Sequence, residues 1–141
     1  MSIRSLRSIV EGQTPVTVAK NVTVVEAARS MKLHDIGALL VVDGTRLCGI
    51  FTERDALFRV LAEGRNPDST QVGQVMTAQP QTIHPDKPFL DALRIMHKGR
   101  FRHLPVVEDG RPLGMVSSRD ALDDDLYELR VNLAQREDVL E

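Results

Sequence analysis

Two short stretches place a hydroxyl side chain three residues before a carboxylate, directly after a glycine-bearing apolar run. They read GIFTERDAL from residue 49 and GMVSSRDAL from residue 114, with Thr52 and Asp55 in the first and Ser117 and Asp120 in the second. At a strand-to-helix boundary, exposed backbone N–H groups and the positive end of the helix dipole favour a phosphate. An ionised carboxylate nearby can accept two hydrogen bonds from the cis-diol of a ribose. The pattern therefore indicates a nucleotide site.

The same spacing has a second interpretation that needs no ligand. Ser/Thr-x-x-Asp is close to a capping box, in which the hydroxyl and the carboxylate satisfy free backbone N–H groups at the start of a helix. Capping alone would explain a hydroxyl and an acid at these positions. On the sequence, both interpretations stay open.

The two stretches belong to a longer internal repeat. Residues 15–57 align without a gap with residues 80–122 at an offset of 65, and about a third of the aligned positions are identical. A copy of this length alone would be marginally stable, whereas a chain of 141 residues buries roughly two-thirds of the surface that its unfolded form exposes. We therefore expect the two copies to form one body.

Hydrophobic periodicity predicts the same β-α-β-β-α order in both copies, and hence an α/β (α+β) fold class. The predicted strands lie at 16–20, 38–42 and 47–51 in the first copy and at 81–85, 103–107 and 113–116 in the second. One helix begins in a Thr23–Glu26 capping box or at Pro88, and another begins at each motif hydroxyl. The predicted parts are a head (1–12), a first unit (13–63), a linker loop (64–74), a second unit (75–125) and a helical tail (126–141).

Composition excludes several classes of protein. The net charge of −2 and the five aromatic residues argue against nucleic-acid binding, including binding through the basic stretch 94–102. Membrane spans need apolar runs of roughly 20 residues, the first 12 residues lack the apolar core of a signal peptide, and we expect a cytoplasmic protein. Catalytic motifs such as a Walker loop are absent, so we expect no enzyme. Cys48 lies in an apolar strand pattern, and we expect it to be a buried, inert thiol. His34, His84 and His97 show no metal-ligand spacing, and we expect them to be surface residues.

These features resemble a tandem pair of CBS (cystathionine-β-synthase) domains, often called a Bateman module. The resemblance covers about residues 10–125. It rests on the doubled Gly-apolar-apolar-Ser/Thr-x-x-Asp motif and on the stretches IGALLVVDG, HLPVVEDG and VMTAQPQTI. It implies that the two units pack through their sheets with pseudo-twofold symmetry. Two clefts would then bind adenosine-containing ligands such as AMP, ADP, ATP, NAD or S-adenosylmethionine.

The resemblance also implies roles for individual residues. Thr52 and Ser117 would contact phosphate, and Asp55 and Asp120 would hold the ribose. Backbone groups of the first strand in each unit would read the adenine edge, near Thr17, Val18, Thr82 and Ile83.

The second copy carries basic residues that the first copy lacks. Arg102 and His103 match positions that contact phosphates in some members of the family, whereas the first copy has Gly37 and Ala38 there. The two clefts are therefore predicted to be non-equivalent. Four further cations either contact phosphate or are simply solvated: Arg54, Arg119, Lys98 and Arg100.

The function that the resemblance implies is regulatory. The chain would bind an adenine nucleotide, with no required cofactor beyond Mg²⁺ that a nucleotide can bring, and would signal to a protein partner of unknown identity. The alternative is a ligand-free dimerisation or adaptor module, in which the motifs only cap helices. A leucine stripe in the tail and the face-to-face pairing common in the family predict a homodimer; the stripe consists of Leu122, Leu126, Leu129 and Leu133.

Overall fold

The computed structural model of the chain describes residues 5–120. The head and first unit contain α1 (Leu6–Val10), β1 (Thr17–Ala19), α2 (Val24–His34), β2 (Ala38–Asp43), β3 (Arg46–Thr52) and α3 (Glu53–Asp55), which continues as a π-helix over Ala56–Leu61. The remainder contains α4 (Val72–Val75), β4 (Thr77–Ala78), α5 (Phe89–Gly99), β5 (His103–Glu108) and β6 (Arg111–Ser117). Residues 118–120 are helical. The predicted tail and its leucine stripe lie outside the described residues.

The two units repeat the same strand pairing. The strands β1, β2 and β3 of the first unit form a sheet with β4 of the second, in the order β1-β2-β3-β4, and β5 pairs with β6. Both central pairs are antiparallel, and both shift register at the equivalent point, between Val41 and Val42 and between Val106 and Val107. Repeated sequence thus produces a repeated bulge, and the predicted mixed α+β class is confirmed.

Several short segments differ from the predicted elements, including α1 and β4, which were not predicted. The expected strand at 81–85 is reduced to one parallel bridge between Ile83 and Val106. In the first unit the N–H of Leu40 donates to Val16, whereas its counterpart Pro105 has no N–H to donate. The expected loop over 64–74 contains the start of α4, where the backbone N–H of Gln71 bonds the side chain of Gln74 at 2.9 Å. A four-residue helix carries too little periodicity to be recognised from sequence.

The main helices begin and end as local sequence dictates. The Thr23 hydroxyl accepts a hydrogen bond from the Glu26 N–H at 3.2 Å, which is one half of the predicted capping box. Pro88 stands at the N-cap of α5. Asp35 and Arg100 end α2 and α5 in the left-handed conformation, with φ of 52° and 58°. Among the described residues, no helix is long and apolar enough to cross a membrane.

Each unit has its own hydrophobic core, and each core takes a short helix from outside its own repeat. Leu6 and Val10 of α1, which precede the first unit, are buried in the core of the second unit. Val72 and Val75 of α4, at the boundary between the linker and the second unit, are buried in the core of the first. The units also contact each other through β3 and β6. The two repeats are therefore joined by exchanged helices as well as by their sheets.

Candidate functional site

The hairpin registers bring the basic pair of the second unit next to its motif hydroxyl. His103 lies opposite Ser117 in the β5–β6 ladder, and the N–H of Ser118 donates to the carbonyl of Arg102 at 3.0 Å. In the first unit, the equivalent partner of Thr52 is Ala38, which offers no charge. The second motif therefore has basic neighbours that the first motif lacks, on matching strand pairing, and the non-equivalence of the two clefts stays a prediction.

Both motifs cap the helix that follows them. The N–H of Thr52 donates to Asp55 Oδ2 at 3.0 Å, and the N–H of Asp55 donates to Thr52 Oγ1 at 3.1 Å. In the second motif, the N–H of Ser117 donates to Asp120 Oδ2 at 2.7 Å. Capping does not exclude binding, because a carboxylate has about four lone-pair sites on its two oxygens.

A cavity of about 570 Å³ opens beside the second motif. Its volume falls in the usual range of small-molecule sites, about 300–1,000 Å³. Residues 13–16, which lead into β1, form one side of it. The rest of the lining comes from both units: Asp35, Ile36, Gly37, Ala38, Leu40 and Glu53 from the first, and Arg102, His103, Met115, Ser117, Ser118, Arg119 and Asp120 from the second. Any occupant would therefore contact both units.

The cavity lining mixes charges of both signs. Arg102, Arg119 and His103 supply the positive or protonatable groups, and all three come from the second unit. Glu53, at the first residue of α3, faces them from the first unit, and its Oε1 lies 3.0 Å from the position that a Cβ on Gly37 would take. The cationic groups therefore all come from the second unit, and the carboxylates of Glu53 and Asp120 act on His103 from nearby. An anion in the cavity could be stabilised by the guanidinium groups.

The imidazole of His103 is largely removed from solvent. Burial lowers its pKa from 6.5, the negative charge of Glu53 opposes that change, and Arg102 and Arg119 lower the pKa further while Asp120 raises it. The side chain is therefore neutral at pH 7 in the unliganded protein. An anion beside it would favour the protonated form.

The two motif aspartates have different surroundings. Asp120 is half-buried and lines the cavity. The side chain of Asp55 is only 9% exposed, and Arg59 Nε and Thr77 Oγ1 lie 3.7 Å and 3.5 Å from its Oδ1. Arg59 stands four residues after Asp55, a spacing that signals a helical ion pair, whereas Thr77 comes close only through the fold.

Five of the twelve residues predicted to bind the ligand line the cavity together: Arg102, His103, Ser117, Arg119 and Asp120. The other seven lie outside its lining: Thr17, Val18, Thr52, Arg54, Asp55, Thr82 and Ile83. Thr17 and Val18 belong to β1, directly after the lining segment 13–16. The guanidinium of Arg54 stacks over the ring of Phe58, 5.0 Å from its centroid.

Lining residues that the sequence did not single out adjoin those that it did. Glu53 and Ser118 occupy the variable position directly after each motif hydroxyl, so the repeat itself was the available signal. Gln13 lies far from both motifs in sequence, and its Oε1 accepts the N–H of Met115 at 3.1 Å. That contact spans most of the chain and carries no local sequence signal.

A second group of ionisable side chains lies away from the cavity. His84, Asp86 and Glu108 have ligand-type atoms within 4.8 Å of one another. Arg7 holds both carboxylates, with Nη2 2.9 Å from Asp86 Oδ1 and 2.9 Å from Glu108 Oε2. The group is thus an exposed ion network that ties α1 to the second unit.

Cys48, His34 and His97 lie outside the cavity lining. Cys48 is partly buried, and burial raises the pKa of its thiol, which keeps it protonated and poorly nucleophilic near neutral pH. His34 and His97 are exposed.

One protein-family model matches this chain twice, once over each copy of the repeat. The family model described as CBS domain matches twice, over residues 8–62 and 72–126. CBSX3, a mitochondrial CBS domain-containing protein of Arabidopsis thaliana, is 40% identical over 116 residues, covering 79% of this chain and 56% of that protein. The chain thus spans about half the length of that relative. Because the relative is named as mitochondrial, a cytoplasmic location for this chain stays a prediction.

Solved structures share the fold. The CBS-domain containing protein ATU1752 from Agrobacterium tumefaciens superposes with a TM-score of 0.78 at 32% identity, covering 86% of this chain and 99% of that one. The CBS domain protein PAE2072 from Pyrobaculum aerophilum, solved in complex with AMP, superposes with a TM-score of 0.75 at 22% identity, covering 83% and 89%. The chain belongs to the CBS-domain family and carries two CBS domains in tandem.

Proposed function

We propose that the chain is a non-catalytic sensor of adenosine-containing ligands and that it binds them in the cavity beside the second motif. The observation that carries this proposal is the joining, in one cavity, of a capped strand-to-helix turn at Ser117 and Asp120 with the cations Arg102, Arg119 and His103. These are the groups that a phosphorylated nucleoside requires.

Each chemical part of such a ligand has a matching part of the cavity. The guanidinium groups and His103 suit a phosphate, and the Asp120 carboxylate suits ribose hydroxyls. The lining segment 13–16 leads into β1 and offers backbone groups and the apolar Pro15 and Val16 to a base. The AMP complex of PAE2072 supports this assignment, since that protein shares the fold. Polyphosphate ligands would bring Mg²⁺ with them; no other cofactor is needed.

Signalling follows from the way the cavity is built. Its walls come from both units, so a ligand that contacts both would favour one relative orientation of the units over others. A protein partner that recognises that orientation would then respond to the ligand.

One observation favours the second candidate, a ligand-free adaptor. Both motif carboxylates already bond the backbone N–H of their own motif hydroxyl residue, so the motifs have a structural role without any ligand. Capping does not account for Arg102 and His103, which are not part of either cap. The sensor is therefore the better-supported function.

The decisive experiment compares a panel of ligands on the parent protein and on the double variant Arg102→Ala, His103→Ala. A bound ligand at 100 times its Kd stabilises the fold by about 2.7 kcal/mol, which a thermal-shift assay detects. Charge-assisted hydrogen bonds contribute about 1.5–3 kcal/mol each, so the variant should bind AMP at least about tenfold more weakly. Adenosine, which has no phosphate, should bind both proteins equally.

A matched control is the exposed pair Lys98→Ala, Arg100→Ala, which removes two cations of the same stretch outside the cavity lining. It should leave AMP affinity within about twofold, because solvated charges act weakly. Equal loss of AMP and adenosine in the cavity variant would point to a folding defect. No stabilisation by any of the five ligands would favour the adaptor.

A further inference from the structure

The charged groups that line the cavity balance no more than one phosphate. The lining carries three carboxylates and two guanidinium groups: Asp35, Glu53, Asp120, Arg102 and Arg119. A phosphate monoester has a charge of about −1.5 to −2 at pH 7, which two guanidinium groups can neutralise. Among the described residues, no further arginine or lysine lines the cavity. Any additional phosphate would therefore meet carboxylates without a cation of its own.

The carboxylate of Glu53 lies beside His103, across the boundary between the two units. The N–H of Glu53 donates to the carbonyl of Gly37 at 3.0 Å, which fixes the start of α3 against the residue before β2. A Cβ on Gly37 would lie 3.0 Å from Glu53 Oε1 and 3.6 Å from His103 Cε1. The carboxylate and the imidazole therefore border the same space, which stays open because residue 37 has no side chain.

The charge of Glu53 is not offset by a partner. Among residues 5–120, its carboxylate makes no hydrogen bond and no ion pair. Of the charged groups that act on the pKa of His103, Glu53 has the largest effect, and it raises that pKa. An anion that reaches the imidazole therefore also enters the field of this carboxylate.

The two copies of the repeat differ in charge at the positions that meet here. At the offset of 65, within the aligned segments, Glu53 corresponds to the uncharged Ser118, and Gly37 corresponds to Arg102. All four residues line the cavity. The first unit thus supplies an acid where the second has none, and the second supplies a cation where the first has none.

We propose that Glu53 is a specificity-determining residue, which limits the ligand to a single phosphate and makes the cavity prefer AMP to ADP and ATP. This inference rests on the proposed function and deepens it. Arg102 and Arg119 hold one phosphate. Each further phosphate adds negative charge without a further cation, and the carboxylate of Glu53 repels it.

The test compares the affinities for AMP and ATP in the parent protein and in Glu53→Gln. Isothermal titration of the full chain is carried out with a chelator present, so that no Mg²⁺ neutralises the phosphates. The parent should bind AMP at least about fivefold more tightly than ATP. Glu53→Gln keeps the size of the side chain and removes its charge, so this preference should fall by at least about fivefold.

Three controls separate charge from shape and folding. Glu63→Gln makes the same change at an exposed residue outside the cavity lining, and it should leave the preference within about twofold of the parent. Adenosine has no phosphate and should bind the parent and Glu53→Gln within about twofold of each other. The difference between these two proteins should shrink in salt, because the Debye length is about 10 Å at 0.1 M and about 3 Å at 1 M.

The outcomes separate the two proposals. A parent protein that binds none of the five ligands would overturn the proposed function, and the role of Glu53 with it. Binding of AMP with a preference over ATP that Glu53→Gln leaves unchanged would overturn the role of Glu53 alone. Tighter binding of ATP than of AMP by the parent would do the same.

Discussion

The imidazole of His103 is the cavity group whose charge changes nearest to physiological pH. Burial lowers its pKa from 6.5, with Arg102 and Arg119 acting in the same direction and Glu53 and Asp120 opposing them. In the unfolded chain the pKa is unperturbed, so the unfolded state binds more protons as the pH falls below 6.5. Acidification should therefore weaken the folded state through this side chain.

The corresponding prediction is a loss of stability on acidification that depends on His103. The contribution of His103 to the free energy of unfolding should be constant between about pH 7 and 8. It should decrease as the pH falls below 6.5. His103→Gln should remove that component. Urea denaturation of both proteins across this pH range measures it, and parallel curves would contradict the assignment.

Ligand binding should reverse the effect on the same side chain. A phosphate beside His103 favours the imidazolium and raises its pKa, so the affinity contributed by His103 falls as the pH rises through the pKa of the bound form. Because a phosphate monoester itself titrates near about pH 6, the useful quantity is the ratio of AMP affinities, parent to His103→Gln, at each pH. A ratio that does not change with pH would rule out contact between the imidazole and the phosphate.

At the residue scale, the sequence predicts which residues form each motif better than it predicts the contacts that those residues make. The hydroxyl and the carboxylate of each motif could be found because capping and phosphate binding both require them at a fixed local spacing. The approach of Thr77 to Asp55 depends on β4 pairing with β3, which no local pattern specifies. The surroundings of the Asp55 carboxylate are therefore decided in part by a side chain distant in sequence.

At the scale of elements, the short helices α1 and α4 each contribute two buried residues to a core. Leu6 is fully buried and Val10 is 5% exposed, both in the core of the second unit. The backbone of α1 also bonds that unit, with the N–H of Arg7 donating to the carbonyl of Pro85 at 2.9 Å. The head is therefore part of the second unit in space, although it precedes the first in sequence.

Leu6→Ala should accordingly destabilise the protein by about 2–5 kcal/mol, the usual cost of emptying a buried leucine site. The control is Leu33→Ala, which makes the same chemical change at a side chain that is 80% exposed, and it should cost less than about 0.5 kcal/mol. Urea denaturation gives both values. Equal effects would mean that α1 does not complete the core.

The predictability of the elements depends on their length. Helices of eleven residues and strands of six or seven carry enough periodicity to be recognised, as α2, α5, β2 and β6 do. Helices of four or five residues show one or two apolar positions, and nothing in those positions specifies which core they will join. The exchange of α1 and α4 between units could therefore be found only from the structure.

At the scale of the whole molecule, one helical stretch presents apolar side chains to solvent. Leu57, Phe58 and Leu61 are 49%, 51% and 73% exposed, and they follow the first motif within nine residues. Clustered exposed apolar groups are typical of interaction surfaces, whereas scattered ones are ordinary. The homodimer predicted from sequence would bury such a cluster.

We therefore expect sedimentation to give the mass of a dimer at tens of micromolar, and Leu57→Lys with Leu61→Lys to shift it towards the monomer. A lysine at a buried interface is costly, because its charge is removed from water and has no opposite charge to pair with. Leu33→Lys, at an exposed leucine on a different helix, is the control and should leave the mass unchanged. A monomeric parent protein would contradict the homodimer.

The exchange of short helices also separates the order of synthesis from the order in which the cores close. Val72 and Val75 leave the ribosome soon after the first unit, so that core closes with little delay. Leu6 is made before the rest of its core, which is not complete until Val116 has been added, 110 residues later. At about 5–20 residues per second, we expect the apolar side chains of α1 to wait roughly 5–20 s for the rest of that core.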